Sequence, residues 1–186
     1  MTEPVFAPFR KIGRLSRDII ITEKIDGTNA CLYIGEDGKF LAGSRSRWIT
    51  PEADNFGFAK WAHEHKDELM QLGPGQHFGE WWGSGIQRGY GLKEKRFSLF
   101  NVSRWNTETP PPACCHVVPI LGRGDFDTAF ARSVMGQLAT QGSMAAPGFM
   151  KPEGIVIFHT QTGHLFKKTF EKDDAGKGRE PDAVMT

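Results

Sequence analysis

The length, composition and charge of the chain indicate one globular domain. With 186 residues, 39% of them hydrophobic and 24% charged, the chain fits one domain with a proper core and is too apolar to be disordered. The formal net charge of +1 excludes a protein that binds nucleic acid through a global basic field, so any nucleic acid has to meet a local patch.

The sequence shows no sign of export or of a membrane anchor. No apolar run approaches the roughly 20 residues that cross a bilayer, and the start, MTEPVFAPFRKIG, lacks a basic region followed by an apolar one. The three cysteines, Cys31, Cys114 and Cys115, have no metal-ligand spacing and indicate a reducing compartment. We expect a cytoplasmic protein that does not contact a membrane.

Strands dominate the first half of the chain. Residues 18–23 are rich in β-branched side chains and lead into a turn at Asp26 and Gly27. Residues 30–34 and 39–42, separated by a Glu-Asp-Gly turn, predict a hairpin. Residues 55–72 combine an N-cap candidate, Asn55, with helically spaced apolar side chains and a closing Gly-Pro pair, and they predict a helix.

The second half mixes strands and helices without a βαβ rhythm. We predict strands at 77–82, 97–102 and 117–121, a proline-rich loop at 106–113, a helix at 125–139, and a closing hairpin of 154–159 and 164–170. The polar residues after Asp174 predict a frayed tail. We therefore expect an α+β fold, with one domain over residues 1–174 and a flexible tail over 175–186.

The segment TEKIDGTN, residues 22–29, contains the first candidate for chemistry. Lys24 follows a β-rich run and precedes a tight Asp-Gly turn, so its amine lies at the edge of a sheet. An ordinary lysine has a pKa of about 10.4 and attacks an electrophile only when neutral, so a catalytic site has to favour the neutral amine. Taken alone, the motif fits a solvated lysine before a β-turn better than a catalytic one.

Two carboxylates and two aromatic rings are further candidates. Glu80 lies in an apolar, aromatic strand within FGEWWGSGIQ, where a buried carboxylate needs partners such as ribose hydroxyls. Phe97 and Phe100 are three residues apart in a strand, so one can be core while the other offers its ring to a base. Glu153 precedes a buried β run in PEGIVI and can reach a divalent metal. The alternatives are an edge-strand glutamate, two core rings and a turn glutamate.

Two pairs of cations complete the set. Lys167 and Lys168 are adjacent in a strand, so one ammonium lies on each face and one can neutralise phosphate. Arg45 and Arg47, in GSRSRW, share one face and can grip ribose or phosphate. A lysine-guarded strand edge and a solvated face are the alternatives for these pairs.

The order of these segments resembles the motifs of the covalent nucleotidyltransferases, which include polynucleotide ligases and capping enzymes. TEKIDGTN looks like the first motif of the nick-sealing, type 2 RNA ligases, and FGEWWGSGIQ like their third motif with its extension. PILGRGDF resembles a further family segment and PEGIVI the fourth motif. The resemblance spans Ile20 to Lys168, nearly the whole chain.

The resemblance implies a role for each candidate residue. Lys24 would attack ATP and carry AMP, and Glu153 would serve Mg²⁺ or Mn²⁺. Glu80 would hold a ribose hydroxyl, Phe100 would stack on adenine, and Lys167 would contact the α-phosphate. The full set expected at the nucleotide is Glu23, Asn29, Arg45, Glu80, Phe100, Lys167 and Lys168. The implied fold has antiparallel sheets flanked by helices, with the nucleotide held between the sheets.

The implied substrate is RNA with 3′-hydroxyl and 5′-phosphate ends or nicks, as in RNA repair. The adenylate passes from lysine to the 5′-phosphate, and the 3′-hydroxyl then displaces AMP. One departure concerns the last motif, which normally has two basic residues separated by one, whereas Thr169 stands at the second position here. We expect no C-terminal OB or helical domain, so a protein partner could supply RNA-binding surface.

Three alternatives stay open on the sequence alone. A capping-type guanylyltransferase and a DNA ligase share the lysine but normally add a barrel after the last motif. A degenerate RNA-end-binding module would fit the altered last motif and the expected lack of a C-terminal domain. The retained Lys24, Glu80 and Glu153 argue against that third alternative.

Overall fold

The computed structural model describes residues 5–171 and Asp173. Within this part of the chain, ten strands and three α-helices form an α+β fold, which confirms the predicted class. The predicted tail at 175–186 lies outside the described residues. The strands are β1 (Asp18–Lys24), β2 (Thr28–Ile34), β3 (Phe40–Ser44), β4 (Trp48–Ile49), β5 (Gly75–Gly83), β6 (Lys95–Leu99), β7 (Cys115–Val117), β8 (Ile120–Asp125), β9 (Gly154–His159) and β10 (His164–Thr169).

These strands form two separate sheets. The four-stranded sheet has the order β10-β9-β1-β8, and all its pairs are antiparallel. The six-stranded sheet has the order β4-β3-β2-β5-β6-β7 and is antiparallel except for the β6–β7 pair. The turn at 25–27 leads directly from β1 in one sheet to β2 in the other, so the two sheets diverge from the residues that follow Lys24.

Three apolar clusters hold the layers together. One packs the six-stranded sheet against helices α1 (Phe58–Glu64) and α2 (Lys66–Leu69). A second packs the four-stranded sheet against α3 (Thr128–Gln141). The third joins Ile20 of one sheet to Trp82 of the other and forms the floor between them. Each sheet therefore buries one face under helices and turns its other face toward the opposite sheet.

Three predicted elements differ from the structure. The helix predicted at 55–72 is interrupted at His65 into α1, α2 and a single 3-10 turn at Met70–Leu72. The predicted cap Asn55 is replaced by the carboxylate of Asp54, which accepts the N–H groups of Ala59 and Lys60 at 2.7 and 3.0 Å. The strand predicted at 97–102 ends at Leu99.

The strand predicted at 117–121 is also wrong, because the chain changes sheets there. The Val118 N–H donates to the Leu99 carbonyl of the six-stranded sheet, whereas Ile120 pairs with Thr22 of the four-stranded sheet. Pro119 lies between them and has no N–H to continue a ladder. Two short strands, β7 and β8, therefore replace the single one.

Two glycines allow the close approaches that bring the segments of the candidate site together. A Cβ on Gly27 would lie 2.5 Å from the Trp81 carbonyl oxygen and 2.7 Å from the Trp82 Cβ. A Cβ on Gly154 would collide with the Lys168 carbonyl oxygen across the β9–β10 pair. In both places the neighbour is rigid, so only glycine fits.

We expect Gly27→Ala to destabilise the fold by about 2 kcal/mol, because the methyl group overpacks against β5. The matched control is Gly136→Ala, in the exposed interior of α3 with open space around it. That change should stabilise the protein by about 0.5–1 kcal/mol through helix propensity. Urea denaturation of both variants measures the two free energies; equal effects would contradict the packing account.

Candidate active site

A cleft of about 940 Å³ lies between the inner faces of the two sheets. This volume is in the range of sites that hold a small-molecule ligand. The four-stranded sheet contributes side chains from β1, β9 and β10, and the six-stranded sheet contributes side chains from β2, β5 and the end of β6. Among the predicted site residues, those that line the cleft are Glu23, Lys24, Asn29, Arg45, Glu80, Phe100 and Lys167.

The nucleophile candidate and the metal-ligand candidate are in direct contact. Lys24, the last residue of β1, pairs across the sheet with Gly154, the first residue of β9. Glu153 precedes Gly154, and its Oε2 accepts a hydrogen bond from the Lys24 Nζ at 2.7 Å. The two side chains are 24% and 18% exposed, so a ligand in the cleft can reach both.

The carboxylate of Glu80 faces this pair from the other sheet and is only 8% exposed. Its Oε1 accepts the Gly27 N–H at 3.1 Å and its Oε2 accepts the Asn29 Nδ2 at 3.2 Å. Burial raises the pKa of Glu80 to about 7, with a further upward contribution from Glu153, against the downward effects of Lys24 and the two hydrogen bonds. Glu80 is therefore an acceptor that can exchange a proton near neutral pH.

Of the two adjacent lysines, only Lys167 faces the cleft. In β10, Lys167 pairs with Val156, and both line the cleft together with Thr22. Lys168 points to the opposite face, where its Nζ donates to Asp173 at 2.8 Å. The prediction that Lys168 binds the nucleotide is therefore corrected, because alternation in a strand separates neighbouring side chains.

The position after Lys168 also has a structural explanation. Thr169 is on the cleft side of β10, but it is buried, and its hydroxyl donates to the Glu171 carbonyl at 2.8 Å. Thr169 pairs with Gly154, beside the Lys24–Glu153 contact. The last motif of the nucleotidyltransferases that the sequence resembles has a second basic residue at this place. Here a neutral, hydrogen-bonded side chain occupies it.

The two phenylalanines divide as predicted. Phe97 is fully buried among the side chains of α1 and β5. Phe100 follows the end of β6, is 39% exposed and lines the cleft. The sequence reasoning missed Phe78, whose carbonyl accepts the Phe100 N–H at 3.0 Å and whose ring lies in the same cleft. Alternation could have found it, because Phe78 is two residues before Glu80 on one strand.

The carboxylate of Glu23 does not face the cleft. It is buried on the other side of β1, where it accepts the Ser143 hydroxyl at 2.6 Å and the N–H groups of Met144 and Ala145 at 2.8 and 2.9 Å. Only the backbone of Glu23 remains to flank a nucleotide, so the predicted role of its side chain is corrected. This carboxylate instead anchors the loop that follows α3.

A loop that sequence reasoning left unassigned holds the turn after Lys24. The Tyr90 hydroxyl accepts the Asp26 N–H at 2.9 Å, and the Arg88 Nε donates to the Asp26 Oδ2 at 2.9 Å. Tyr90 and Gln87 have positive φ angles of 53° and 45°, which cost free energy in residues other than glycine. The glycine-rich loop is therefore locally strained, and its Arg88 and Tyr90 side chains fix the Asp-Gly turn.

The described residues contain no group of three or more His, Cys, Asp and Glu side chains placed to hold a metal ion. Glu153 is a hard oxygen ligand that is partly exposed and contacts Lys24, which lines the cleft. Magnesium is commonly bound by one or two carboxylates together with substrate phosphates. The site thus fits a cation that arrives with a phosphate ligand.

In the same part of the chain, no helix is long and apolar enough to cross a membrane.

The raised pKa of Glu80 predicts how stability depends on pH. Between its ordinary value of 4.5 and about 7, the folded state keeps the proton that the unfolded state has lost. Folding stability therefore falls as pH rises through this window. We expect Glu80→Gln to remove about 1–3 kcal/mol of this decline. Urea denaturation at pH 5 and pH 8 measures the difference in unfolding free energy between the two pH values, with Glu36→Gln at an exposed turn as the control. If this difference were the same in Glu80→Gln as in the natural protein, the raised pKa of Glu80 would be contradicted.

Comparison with known proteins agrees with this geometry. The family model described as RNA ligase matches residues 17–170. No curated protein sequence matches the chain. Solved structures of variants of Naegleria gruberi RNA ligase superimpose with TM-scores of 0.60 (with ATP and manganese, 22% identity) and 0.59 (with AMP and manganese, 21% identity). The same ligase with pyrophosphate gives a TM-score of 0.57 at 20% identity.

Each of these three matches covers 83% of the present chain and 50% of the Naegleria chain. The chain thus spans about half the length of the structures it matches, and at this identity the likeness shows the fold. The family match covers the whole two-sheet unit, from the residue before β1 to the residue after β10. On that match, the chain belongs to the RNA ligase family.

Proposed function

We propose that this protein is an ATP-dependent RNA ligase that forms a covalent adenylate on Lys24. The observation that carries the proposal is the contact between Glu153 and the Lys24 amine, which lines a nucleotide-sized cleft with Glu80 and Lys167 on its walls. A structural lysine at a strand end would not need two carboxylates and a further ammonium around one cleft. The family membership supports the same activity.

The first step of the proposed reaction joins Lys24 to AMP. Lys24 first releases one proton to solvent, and the neutral amine attacks the α-phosphorus of ATP. An N–P bond forms, the P–O bond to pyrophosphate breaks, and the nitrogen, now bonded to phosphorus, releases a second proton to solvent. The Lys24–Glu153 ion pair has to open before the amine can attack. The Naegleria ligase structures hold ATP, AMP and pyrophosphate, which are the ligands that such a step would bring to this cleft.

The remaining residues bind and orient the nucleotide. Glu80 accepts a ribose hydroxyl, Phe100 stacks on the adenine, and Lys167 neutralises the α-phosphate from the opposite sheet. Asn29 and Arg45 contact the phosphates or the ribose from the six-stranded sheet. Glu153 would hold a magnesium or manganese ion together with the nucleotide phosphates, and that ion would supply positive charge beside the reacting group.

The later steps of the proposed reaction use RNA. The adenylate passes to a 5′-phosphate, and a 3′-hydroxyl then attacks the activated phosphate and releases AMP. Because the net charge of the chain is nearly neutral, the RNA is held by the local cations at the cleft. A protein partner that adds RNA-binding surface and a cytoplasmic location belong to the same proposal. Cys31, Cys114 and Cys115 are free thiols, as a reducing compartment requires.

Labelling with radioactive nucleotides separates this activity from its alternatives. We expect ATP with magnesium to label the protein on a denaturing gel. GTP should give no label, whereas a capping-type enzyme would be labelled by GTP. Lys24→Ala should abolish the label. Lys167→Ala should lower it at least tenfold, while Lys168→Ala, on the opposite face, should keep it. The absence of any label would leave the degenerate RNA-end-binding module as the better description. A DNA ligase would carry the same label. An assay that measures the joining of nicked RNA and of nicked DNA therefore has to distinguish the two enzymes.

The two phenylalanines should fail by different routes. Phe100→Ala removes an exposed ring from the cleft, so we expect ATP affinity to fall by about 1–3 kcal/mol with little loss of stability. Phe97→Ala opens a cavity in the core and should cost about 3–5 kcal/mol of stability. Isothermal titration with ATP and thermal unfolding distinguish the two. If Phe97→Ala stayed folded and lost ATP binding, the assignment of the stacking ring would be inverted.

A further inference from the structure

The cleft-facing side of the six-stranded sheet continues beyond the nucleotide cleft as an aromatic surface. Ala30, Leu32 and Ile34 of β2 are buried against the helices, so alternation places Asn29, Cys31 and Tyr33 on the other face. The β2–β5 register then aligns three rows across the sheet. They are Glu80 with Asn29, Phe78 with Cys31, and Gln76 with Tyr33. The first row belongs to the candidate active site, and the other two extend away from it.

The indole of Trp48 covers the middle of this surface. Trp48 pairs with Gly43, which in turn pairs with Cys31. A Cβ on Gly43 would lie 3.0 and 3.1 Å from Trp48 Cε3 and Cζ3, and 2.7 Å from the Cys31 Sγ. The ring therefore rests on the sheet where only a glycine leaves room. It remains 49% exposed, and the Tyr33 ring lies 6.2 Å from it between centroids.

Phe78 connects this surface to the cleft. Its side chain is 52% exposed and lines the cleft wall beside Phe100. Neighbouring apolar rings on an exposed sheet face mark a surface that binds a ligand or a partner. The exposed Trp48 and Phe78 and the half-buried Tyr33 lie on one sheet face, on adjacent strands and rows, and form a strip that leads toward Lys24.

Two arginines lie at one border of the strip. Arg45 and Arg47 are exposed in the tight connection between β3 and β4, and Arg45 also lines the cleft. Among the residues that the structure describes, neither guanidinium forms an ion pair. Glu36 and Asp37 occupy the turn beyond Tyr33 and bound the strip at its far end. A polyanion would therefore approach from the arginine side, and its length on the surface would be limited.

We propose that Tyr33, Trp48 and Phe78 form a stacking platform for two or three unpaired RNA bases next to the end that is being joined, with Arg45 and Arg47 meeting the phosphates. Exposed rings on a sheet face, flanked by arginine, are a recurrent means of binding single-stranded RNA. Paired bases inside a helix hide their faces and cannot use such a surface. The inference rests on the proposed function, and it specifies that the substrate carries unpaired nucleotides at its end.

Two RNA probes test the platform by fluorescence anisotropy: a blunt RNA hairpin and the same hairpin with a short unpaired 3′ extension. We expect the extension to tighten binding about fivefold or more. Trp48→Ala should remove this advantage and Trp48→Phe should keep most of it. Tyr33→Leu provides a second variant and should also reduce the advantage. Equal binding of the two probes by the natural protein, or an unchanged advantage in Trp48→Ala, would overturn the platform.

Tryptophan fluorescence gives a direct readout, because Trp81, Trp82 and Trp105 are buried and Trp61 is partly buried against the core on the other side of the six-stranded sheet. The extended probe should quench the exposed Trp48, and the quenching should vanish in Trp48→Phe although binding persists. Lysyl-adenylate formation from ATP should be normal in Trp48→Ala, which shows that this variant folds. Failure of the natural protein to label with ATP would refute the proposed function alone, whereas normal labelling without an extension effect would refute the platform alone.

Discussion

The antiparallel pairing of the end of β1 with the start of β9 is the constraint on which the site depends. It brings Lys24 opposite Gly154, and so places the amine within hydrogen-bond distance of Glu153. Gly154 itself is demanded by the close approach of β10. One short stretch of backbone thus sets the distance between the nucleophile candidate and the carboxylate, while the turn at Gly27 sends the chain into the sheet that carries Glu80.

The alternation of side chains along strands divides work between the two faces of each sheet. Glu23 anchors the loop behind the four-stranded sheet while Lys24 faces the cleft, and Lys168 pairs with Asp173 while Lys167 faces the cleft. Each sheet therefore stabilises its helix-covered face with apolar or paired groups. Its other face is left free for polar and aromatic groups. The candidate aromatic platform follows from the same rule, applied to β2 and β5 beyond the nucleotide cleft.

Sequence patterns predicted the end of β1 and the start of β9 well because turn residues mark them, and Lys24 and Glu153 lie there. Glu80 was predictable for a different reason, because it is a carboxylate inside an apolar, aromatic strand. Alternation also says that Lys167 and Lys168 diverge, but it does not say which of them meets the opposite sheet. The crossing between sheets at Pro119 was not predictable, since it depends on hydrogen bonds to Leu99 and Thr22, which are distant in sequence. The loop of Arg88 and Tyr90 was missed because its contacts with Asp26 are tertiary.

The central claim is that the Lys24 amine, held beside Glu153, is the atom that becomes bonded to phosphorus. Tandem mass spectrometry of peptides from the protein after incubation with ATP and magnesium tests it most directly. We predict that the peptide containing Lys24 gains the mass of one AMP and that fragment ions place the addition on that side chain. An adenylate on any other residue, such as Lys167, or ATP that is bound but never attached, would contradict the account.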